Sequence, residues 1–255
     1  MSLEHSLERT VFIAAERETV FRFFTDSGRF SAWWGAGSRI EPRKGGAVHI
    51  RLPNGVVASG EVVEVEPDQR IVFTYGYEGE GHPIPPGGSL VTITLAREAL
   101  GTRLHLRHEL TSAPARDEHV QGWRYQLALF ANVVAAEQHE GLEARVDRFF
   151  EAWMETDAAA RRRTLAAVAT EALVFRDRFS CTSGLDDLVL HLGAAQVHMP
   201  GVRLQRDGAV RQCQGVALVD WVAKGPDGAV RGRGVDVLEL AGDGRLASVT
   251  GFWQT

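Results

Sequence analysis

Between residues 113 and 140 the apolar positions Val120, Trp123, Leu127, Phe130, Ala131 and Val134 recur at intervals of three and four. Arg124, Gln126, Gln138 and His139 fall mostly elsewhere. That is the period of an amphipathic helix with one broad apolar face. Ser112 and Pro114 supply start signals, Asp117 and Glu118 suit the positive first turn, and Gly141 supplies a stop. Strand-like runs fill most of the chain before this helix, and a helix–helix–strand series begins after it. The pattern predicts a helix that closes one domain, residues 1–140, and leads into a second, residues 141–255. The junction is short and largely helical, which predicts a fairly fixed relation between the two.

Before the helix, Glu8 to Ala14 reads as a strand, Glu16 to Thr25 as a short helix, and Arg29 to Trp34 as a second helical piece ending in a Trp-Trp pair. The strand-like runs AVHIRL, GEVVEVEP, RIVFTYGY, SLVTITLA and TRLHLRHEL follow, broken by the turn chemistry of Pro53-Asn54-Gly55, Pro67-Asp68 and Gly101. A strand, two short helices, a meander and one long helix predict a curved antiparallel sheet wrapped on that helix, with a cavity between them. Alternation puts Leu104, Leu106, His108 and Leu110 on one face, so His108 is the polar member of an apolar set. Ile71, Phe73, Tyr75 and Tyr77 likewise point together. The ligand-binding candidates here are Trp34, Phe73, Tyr75, His108 and Trp123; the competing reading is plain core packing, the commoner fate of aromatics at such positions. The Gly- and Pro-rich loop at 78–89 is expected to form a mobile rim. With no nucleophile, metal cluster or phosphate loop, this half reads as a binder of a small apolar molecule.

After Gly141 the helical period restarts at Leu142, Val146, Phe149, Phe150 and Trp153, and Asp157 to Ala169 forms a second helix. Residues 173–179 read as a strand, Gly184 to Val197 as a helix, and long strands lie around GVALVDWVAK, AVRGRGVDVLEL and RLASVTGFWQ. Their Gly-Pro-Asp-Gly and Gly-Asp-Gly connections are hairpin signals. Helices first and a long antiparallel sheet afterwards predict an open α+β cone. Alternation also picks out two carboxylates. Asp177 shares its face with Leu173, Phe175 and Phe179, and Asp236 shares its face with Gly234, Leu238 and Leu240. A carboxyl buried without a cation has its pKa raised and can stay protonated as a donor, while a more solvated one can act as a general base. Asp177 and Asp236 are therefore the catalytic candidates. The alternative is that both are structural groups bonded to a buried Trp, Arg or backbone amide.

Composition narrows the choice. The chain of 255 residues, 44% hydrophobic and 24% charged with a net charge of −5, lacks the basic face of a general nucleic-acid binder. The run Arg161-Arg162-Arg163 is the local exception and is expected to be a solvated helix face. Cys181 and Cys213 make neither a disulfide framework nor a metal spacing, and are expected to be buried or half-buried thiols. The first residues lack the charge and apolar run of a signal peptide, and no stretch reaches the roughly 20 apolar residues of a membrane span. Expectation is a cytoplasmic protein with no metal, no cofactor, no nucleic acid and no membrane partner.

The opening strand with VFRFFTDSGRFSAWWG, then PRKGGAVHI, GEVVEVEPDQRIVFTY, VTITL, GTRLHLRHE and HVQGWRYQLALFANV resemble the START-like (SRPBCC) superfamily, over about residues 6–139. They resemble its branch named for heat shock protein 90 ATPase activator homologues, which implies a helix-grip fold with a deep apolar pocket. VDRFFEAWMETD, ALVFRDRF with the following Gly184 to Leu188, and GVDVLELAGDGRLASVTGFW are similar to SnoaL-like members of the nuclear transport factor 2 superfamily. That resemblance implies an α+β cone-shaped domain. It matches Asp177 to the family's catalytic base and Asp236 to its protonated oxyanion-hole acid, and thereby to isomerase, cyclase or dehydratase chemistry. The family's oxyanion-hole tyrosine matches Phe149, which has no hydroxyl. Phe149, His191 and Trp221 join the ligand-binding candidates, with His198 a further polar group. The resemblance also implies a homodimer through the second domain. Its alternative for the whole chain is a non-catalytic, stress-linked regulator of a chaperone.

Overall fold

A computed structural model describes residues 3–254. The chain divides into two compact units, one ending at Ala135 and the other beginning at Ala136.

The first unit runs β1 (His5–Ile13), α1 (Arg17–Arg22), α2 (Ser27–Trp34), β2 (Arg39–Ile40), β3 (Ala47–Arg51), β4 (Val57–Glu66), β5 (Arg70–Tyr75), β6 (Ser89–Glu98) and β7 (Gly101–Leu110). α3 (Ala113–Gln138) completes it and carries on past its last residue. The strands form one antiparallel sheet in the order β1-β7-β6-β5-β4-β3-β2. The chain returns from β7 to α3, so β1 pairs with β7 and the meander fills the sheet inward from there. Strict alternation makes one face of β7 apolar: Thr102, Leu104, Leu106, His108 and Leu110 are all buried. α2 is capped by Asp26, whose carboxylate accepts the Arg29 N–H at 2.8 Å. The apolar face of α3 joins the same core through Trp123, Leu127, Phe130, Ala131 and Val134, with Phe130 edge-on to Trp33 at 4.8 Å.

Two features of this unit differ from the expected pattern. Gln126 and His119 belong to the buried face of α3. Gln126 Nε2 donates to the Trp33 carbonyl, so an amide rather than a hydrocarbon ties α3 to α2. The loop after β5 is pinned: Ile84 is buried, and its carbonyl accepts the Tyr77 N–H at 2.8 Å.

The second unit runs α4 (Leu142–Ala152), α5 (Ala158–Val168), β8 (Ala169–Asp177), β9 (Ser180–Ser183), α6 (Leu185–His198), β10 (Arg203–Arg206), β11 (Arg211–Cys213), β12 (Val216–Lys224), β13 (Val230–Leu240) and β14 (Leu246–Gln254). The sheet order is β10-β12-β13-β14-β8-β9, with β11 also on β12. The sheet is mixed rather than wholly antiparallel, because β8 lies parallel to β14. β8 and β14 are far apart in sequence, so the long connection a parallel pair requires is available. The concave face carries Leu173, Phe175, Val219, Trp221, Leu238, Leu240 and Val249 against Leu142, Val146, Phe149 and Phe150 of α4, Leu165 of α5, and Leu188 and Leu192 of α6.

Three expectations for this unit need correction. Arg161 is not on a solvated face: it is 3% exposed and donates to the carbonyls of Glu155 and Val189 and to Gln196 Oε1. Its neighbour Arg162 pairs with Glu171 and Asp186, and only Arg163 is exposed. Cys181 and Cys213 are both exposed thiols, since they sit on short, peripheral strands. Phe179 lies beyond the end of β8, where alternation no longer holds, and is 67% exposed. Among the described residues no helix is long and apolar enough to cross a membrane.

Candidate active site

Strand register builds the site in the second unit. Trp221 of β12, Gly234 of β13 and Trp253 of β14 lie side by side, each paired with the next. Two residues further along the same face, Val219, Asp236 and Gly251 form the next row. Thr250 pairs with Arg176, so the parallel strand β8 brings Asp177 level with Gly251 on its other side. Asp236 and Asp177 thus stand on either side of a residue that has no side chain. A Cβ on Gly251 would lie 3.0 Å from Asp236 Oδ1 and 3.4 Å from Asp177 Cβ. Glycine there leaves room for the two carboxyl groups to lean towards each other.

Each carboxyl has its own indole. Trp221 Nε1–H donates to Asp236 Oδ1 at 2.8 Å, and Trp253 Nε1–H donates to Asp177 Oδ2 at 3.2 Å. The two indoles meet edge to face at 4.9 Å. Gly234 lets them lie across the row: a Cβ there would come within 2.3 Å of Trp221 Cζ2. Asp177 Oδ1 also accepts the Phe179 N–H at 2.8 Å, so both its oxygens meet N–H donors, an arrangement suited to a carboxylate. Asp236 differs. It is 5% exposed, and among the described residues only the Trp221 indole donates to it. Burial pushes its pKa up to about 7, with the Trp221 hydrogen bond opposing and the charge of Asp177 adding to the rise.

Asp177 and Asp236 line a common inner cavity with Trp153, Phe175, Trp221 and Trp253. Its volume of about 30 Å³ holds little more than a water molecule. Asp177, Trp153, Met199 and Trp253 also line an adjoining cavity of about 380 Å³, which includes His191 and His198. Asp177 therefore faces a space of ligand size, and Asp236 sits behind it at the inner end. Among the described residues no group of His, Cys, Asp and Glu could hold a metal ion.

The other sequence-selected residues divide clearly. Trp221 lines the inner cavity, and His191 lines the outer one with its ring 5.8 Å from Phe175. Phe149 is buried in the core cluster, where α4 packs on the sheet, and lines none of these cavities. In the first unit, Trp34, Tyr75 and Trp123 line a cavity of about 330 Å³ together with Tyr77, His119 and Gln126. Phe73 and His108 are fully buried and do not line it. His108 is held on both nitrogens: Trp123 Nε1–H donates to Nδ1 at 2.9 Å, and Nε2 lies 2.8 Å from Ser89 Oγ, which donates to the Tyr75 carbonyl. That chain fixes His108 as a neutral structural ring, and burial takes its pKa down to about 3, with His119 contributing.

Sequence reasoning did not select Gly251, Trp253, Tyr77 or His119. Period-2 counting could have placed Trp253 and Gly251 on the inner face of β14, but their partners depend on register between strands. His119 lies four residues before Trp123 and so shares its face of α3.

Residues 14–135 match the family described as activator of Hsp90 ATPase homolog 1-like protein. A comparison with curated proteins gave no match. Among solved structures, the chain is similar to an AHSA1-like protein from Rhizobium etli, at 32% identity over 51% of this chain and 82% of that one, with a TM-score of 0.42. It is similar to a putative isomerase of the SnoaL-like family from Agrobacterium tumefaciens, at 25% identity over 47% of this chain and 99% of that one, with a TM-score of 0.43. A third similar structure is CalU16 from Micromonospora echinospora, at 27% identity over 52% of this chain and 82% of that one, with a TM-score of 0.41.

Proposed function

Starting from a first unit that belongs, over residues 14–135, to the activator of Hsp90 ATPase homolog 1-like family, we propose that the chain is a cytoplasmic binder of small apolar or aromatic molecules whose second unit catalyses proton transfer beside a carbonyl. The observation that carries the reading is the pair Asp177 and Asp236, placed on either side of Gly251 and lining one cavity. In this reading a ketone or enone lies in the 380 Å³ cavity with its carbonyl end reaching inward. Asp177, supplied with N–H donors from Phe179 and Trp253, takes the proton from the carbon next to the carbonyl. Asp236, protonated at and below about pH 7, donates a hydrogen bond to the oxygen as negative charge develops there. Returning the proton from Asp177 to another carbon gives an isomerase; passing it instead to a hydroxyl on the β-carbon, which leaves as water while the C=C bond forms, gives a dehydratase. Trp221 and Trp253 position the two acids rather than touch the reacting atoms.

The exposed Leu218 and Phe252 on the outer face of the same sheet support pairing of two copies. The rival reading, a chaperone-linked regulator, is favoured by a filled first cavity; the 330 Å³ space between Trp34, Tyr75 and Trp123 supports ligand binding instead. The test of binding uses 2-tetralone, a bicyclic ketone. It should shift the indole N–H resonances of Trp221 and Trp253 saturably, and an Asp177→Asn variant should still bind it. Absence of any shift at these two indoles counts against a ketone site in the second unit.

A further inference from the structure

The cavity of the first unit holds a hydrogen-bonded pair that the acid–base reading of the second unit does not use. Tyr77, just past the end of β5, and His119, on α3, both line it, and Tyr77 Oη lies 3.0 Å from His119 Nε2. The other ring nitrogen, Nδ1, lies 2.7 Å from the Ala115 carbonyl, one turn back along α3. A carbonyl oxygen only accepts, so Nδ1 carries the hydrogen. In the neutral ring Nε2 is then a lone pair, and the Tyr77 hydroxyl donates to it. That uses the one proton Tyr77 has. The Tyr75 hydroxyl donates to Tyr77 Oη and takes up one of its lone pairs. What the pair offers the cavity is therefore an acceptor, the remaining lone pair of Tyr77 Oη. Burial raises the Tyr77 pKa, which keeps the hydroxyl protonated and the pair intact.

Trp34, Tyr75, Trp123 and Tyr125 make up the aromatic part of the remaining lining, which Leu52, Pro53, Asn54, Gly122 and Gln126 complete. Trp34 stacks on Tyr75 and meets Trp123 edge-on at 5.6 Å, and the exposed Tyr125 lines the same space. Trp123 cannot supply a donor to a ligand, since its Nε1–H is committed to His108. Flat indole and phenol walls around about 330 Å³ suit a ring system of two or three fused rings.

We propose that this cavity selects flat aromatic or conjugated-ring molecules bearing a hydrogen-bond donor, a phenolic or enolic hydroxyl, which donates to Tyr77 Oη while His119 holds the Tyr77 hydroxyl turned away. The inference rests on reading the first unit as a binder of small aromatics, and adds the group by which it chooses among them. A ligand with a bare ring or an ether in that position leaves that remaining lone pair unmet and binds more weakly.

The test compares 2-naphthol with 2-methoxynaphthalene, which keeps the ring and lacks the donor, on the full-length chain at about pH 8, where an ordinary imidazole is neutral. Binding is read at the indole N–H resonances of Trp34 and Trp123, which belong to this unit. In the wild-type protein 2-naphthol should bind about fivefold tighter than its ether, the net worth of one hydrogen bond. The double variant Tyr77→Phe/His119→Phe, which removes the hydroxyl together with the Nε2 lone pair that it covers, should bring that ratio to about one. His119→Gln, which keeps a polar side chain at the site, should also reduce the ratio. Equal affinities in the wild type, or a ratio that survives the double variant, overturn the donor selectivity and leave the aromatic pocket standing. If neither probe shifts the two indoles, both the selectivity and the aromatic-binding reading of this unit fall together.

Discussion

Replacing Asp236 by Asn separates the cost of burying its charge from the hydrogen bond it makes. The amide keeps the shape of the carboxyl and can still accept the Trp221 N–H. Burial moves the carboxyl from an ordinary 3.8 to about 7 in the folded chain. The folded value lies above the unfolded one, so the fold favours the protonated form. Below the unfolded value both states hold the proton and nothing is lost. As the pH rises from there towards the folded value, the unfolded chain ionises while the folded one does not, and stability falls; above it the loss levels off. At about 1.4 kcal/mol for each tenfold change, the full loss is on the order of 4 kcal/mol, of which more than half falls between about pH 5 and about pH 8. The stability of Asp236→Asn relative to wild type is therefore expected to grow by roughly 2–3 kcal/mol across that interval. Urea unfolding of the full chain, followed by tryptophan emission with the transitions of the two units fitted separately, measures it. A difference that stays constant with pH would mean that Asp236 is not held neutral by the fold, and the reasoning would fail.

Three further outcomes follow from the same geometry. Gly251→Ala puts a methyl 3.0 Å from Asp236 Oδ1, so it should cost about 1–3 kcal/mol by urea unfolding and spread the two carboxyl groups apart, lowering any turnover with them. Arg161→Ala should cost about 3 kcal/mol, because it empties a buried site and leaves Gln196 Oε1 without its donor, whereas Arg163→Ala on the exposed side of the same helix should leave stability unchanged. His108, held down to about 3 by burial and by His119, should act on the acid side. Its folded value lies below the unfolded value of 6.5, so its contribution is intact above 6.5 and is lost as pH falls towards 3. His108→Gln should flatten that acid limb in a thermal melt, and an unchanged limb would show that another group is responsible.

Periodicity revealed the face of each strand but not its neighbours. Asp177 and Asp236 could be placed on the inner surface from alternation alone, because each sits among Leu and Phe at every second position. Their meeting could not, since it depends on β8 running parallel to β14 and on Gly251 falling opposite Asp236. Gly234 and Gly251 carry no side chain for alternation to read, and only the register shows that they make room for Trp221 and for the two acids. On helices the pattern erred where polar residues lie inside. Gln126 is set apart from the apolar face by its type yet is buried, and His119 follows Ala115 and precedes Trp123 at intervals of four, which is the spacing of the buried face. Arg161 was obscured in the same way by its neighbours in a charged run, although Arg161, Leu165 and Val168 share one helical face. The short strands β2, β9, β10 and β11 have too few residues for alternation to register.

The claim that Asp177 and Asp236 act together on a carbonyl compound is tested most directly by hydrogen exchange in the ligand. In deuterium oxide, the wild-type protein should speed the uptake of deuterium at the carbon beside the carbonyl of 2-tetralone, followed by mass spectrometry. Asp177→Asn should slow that uptake by a factor of about 10² to 10⁴, the contribution of a positioned general base. Asp236→Asn, with the indole contact kept, should slow it by about 10², the contribution of one oxyanion donor. Uptake at the wild-type rate in either variant, or a wild-type protein no faster than both, would contradict the account.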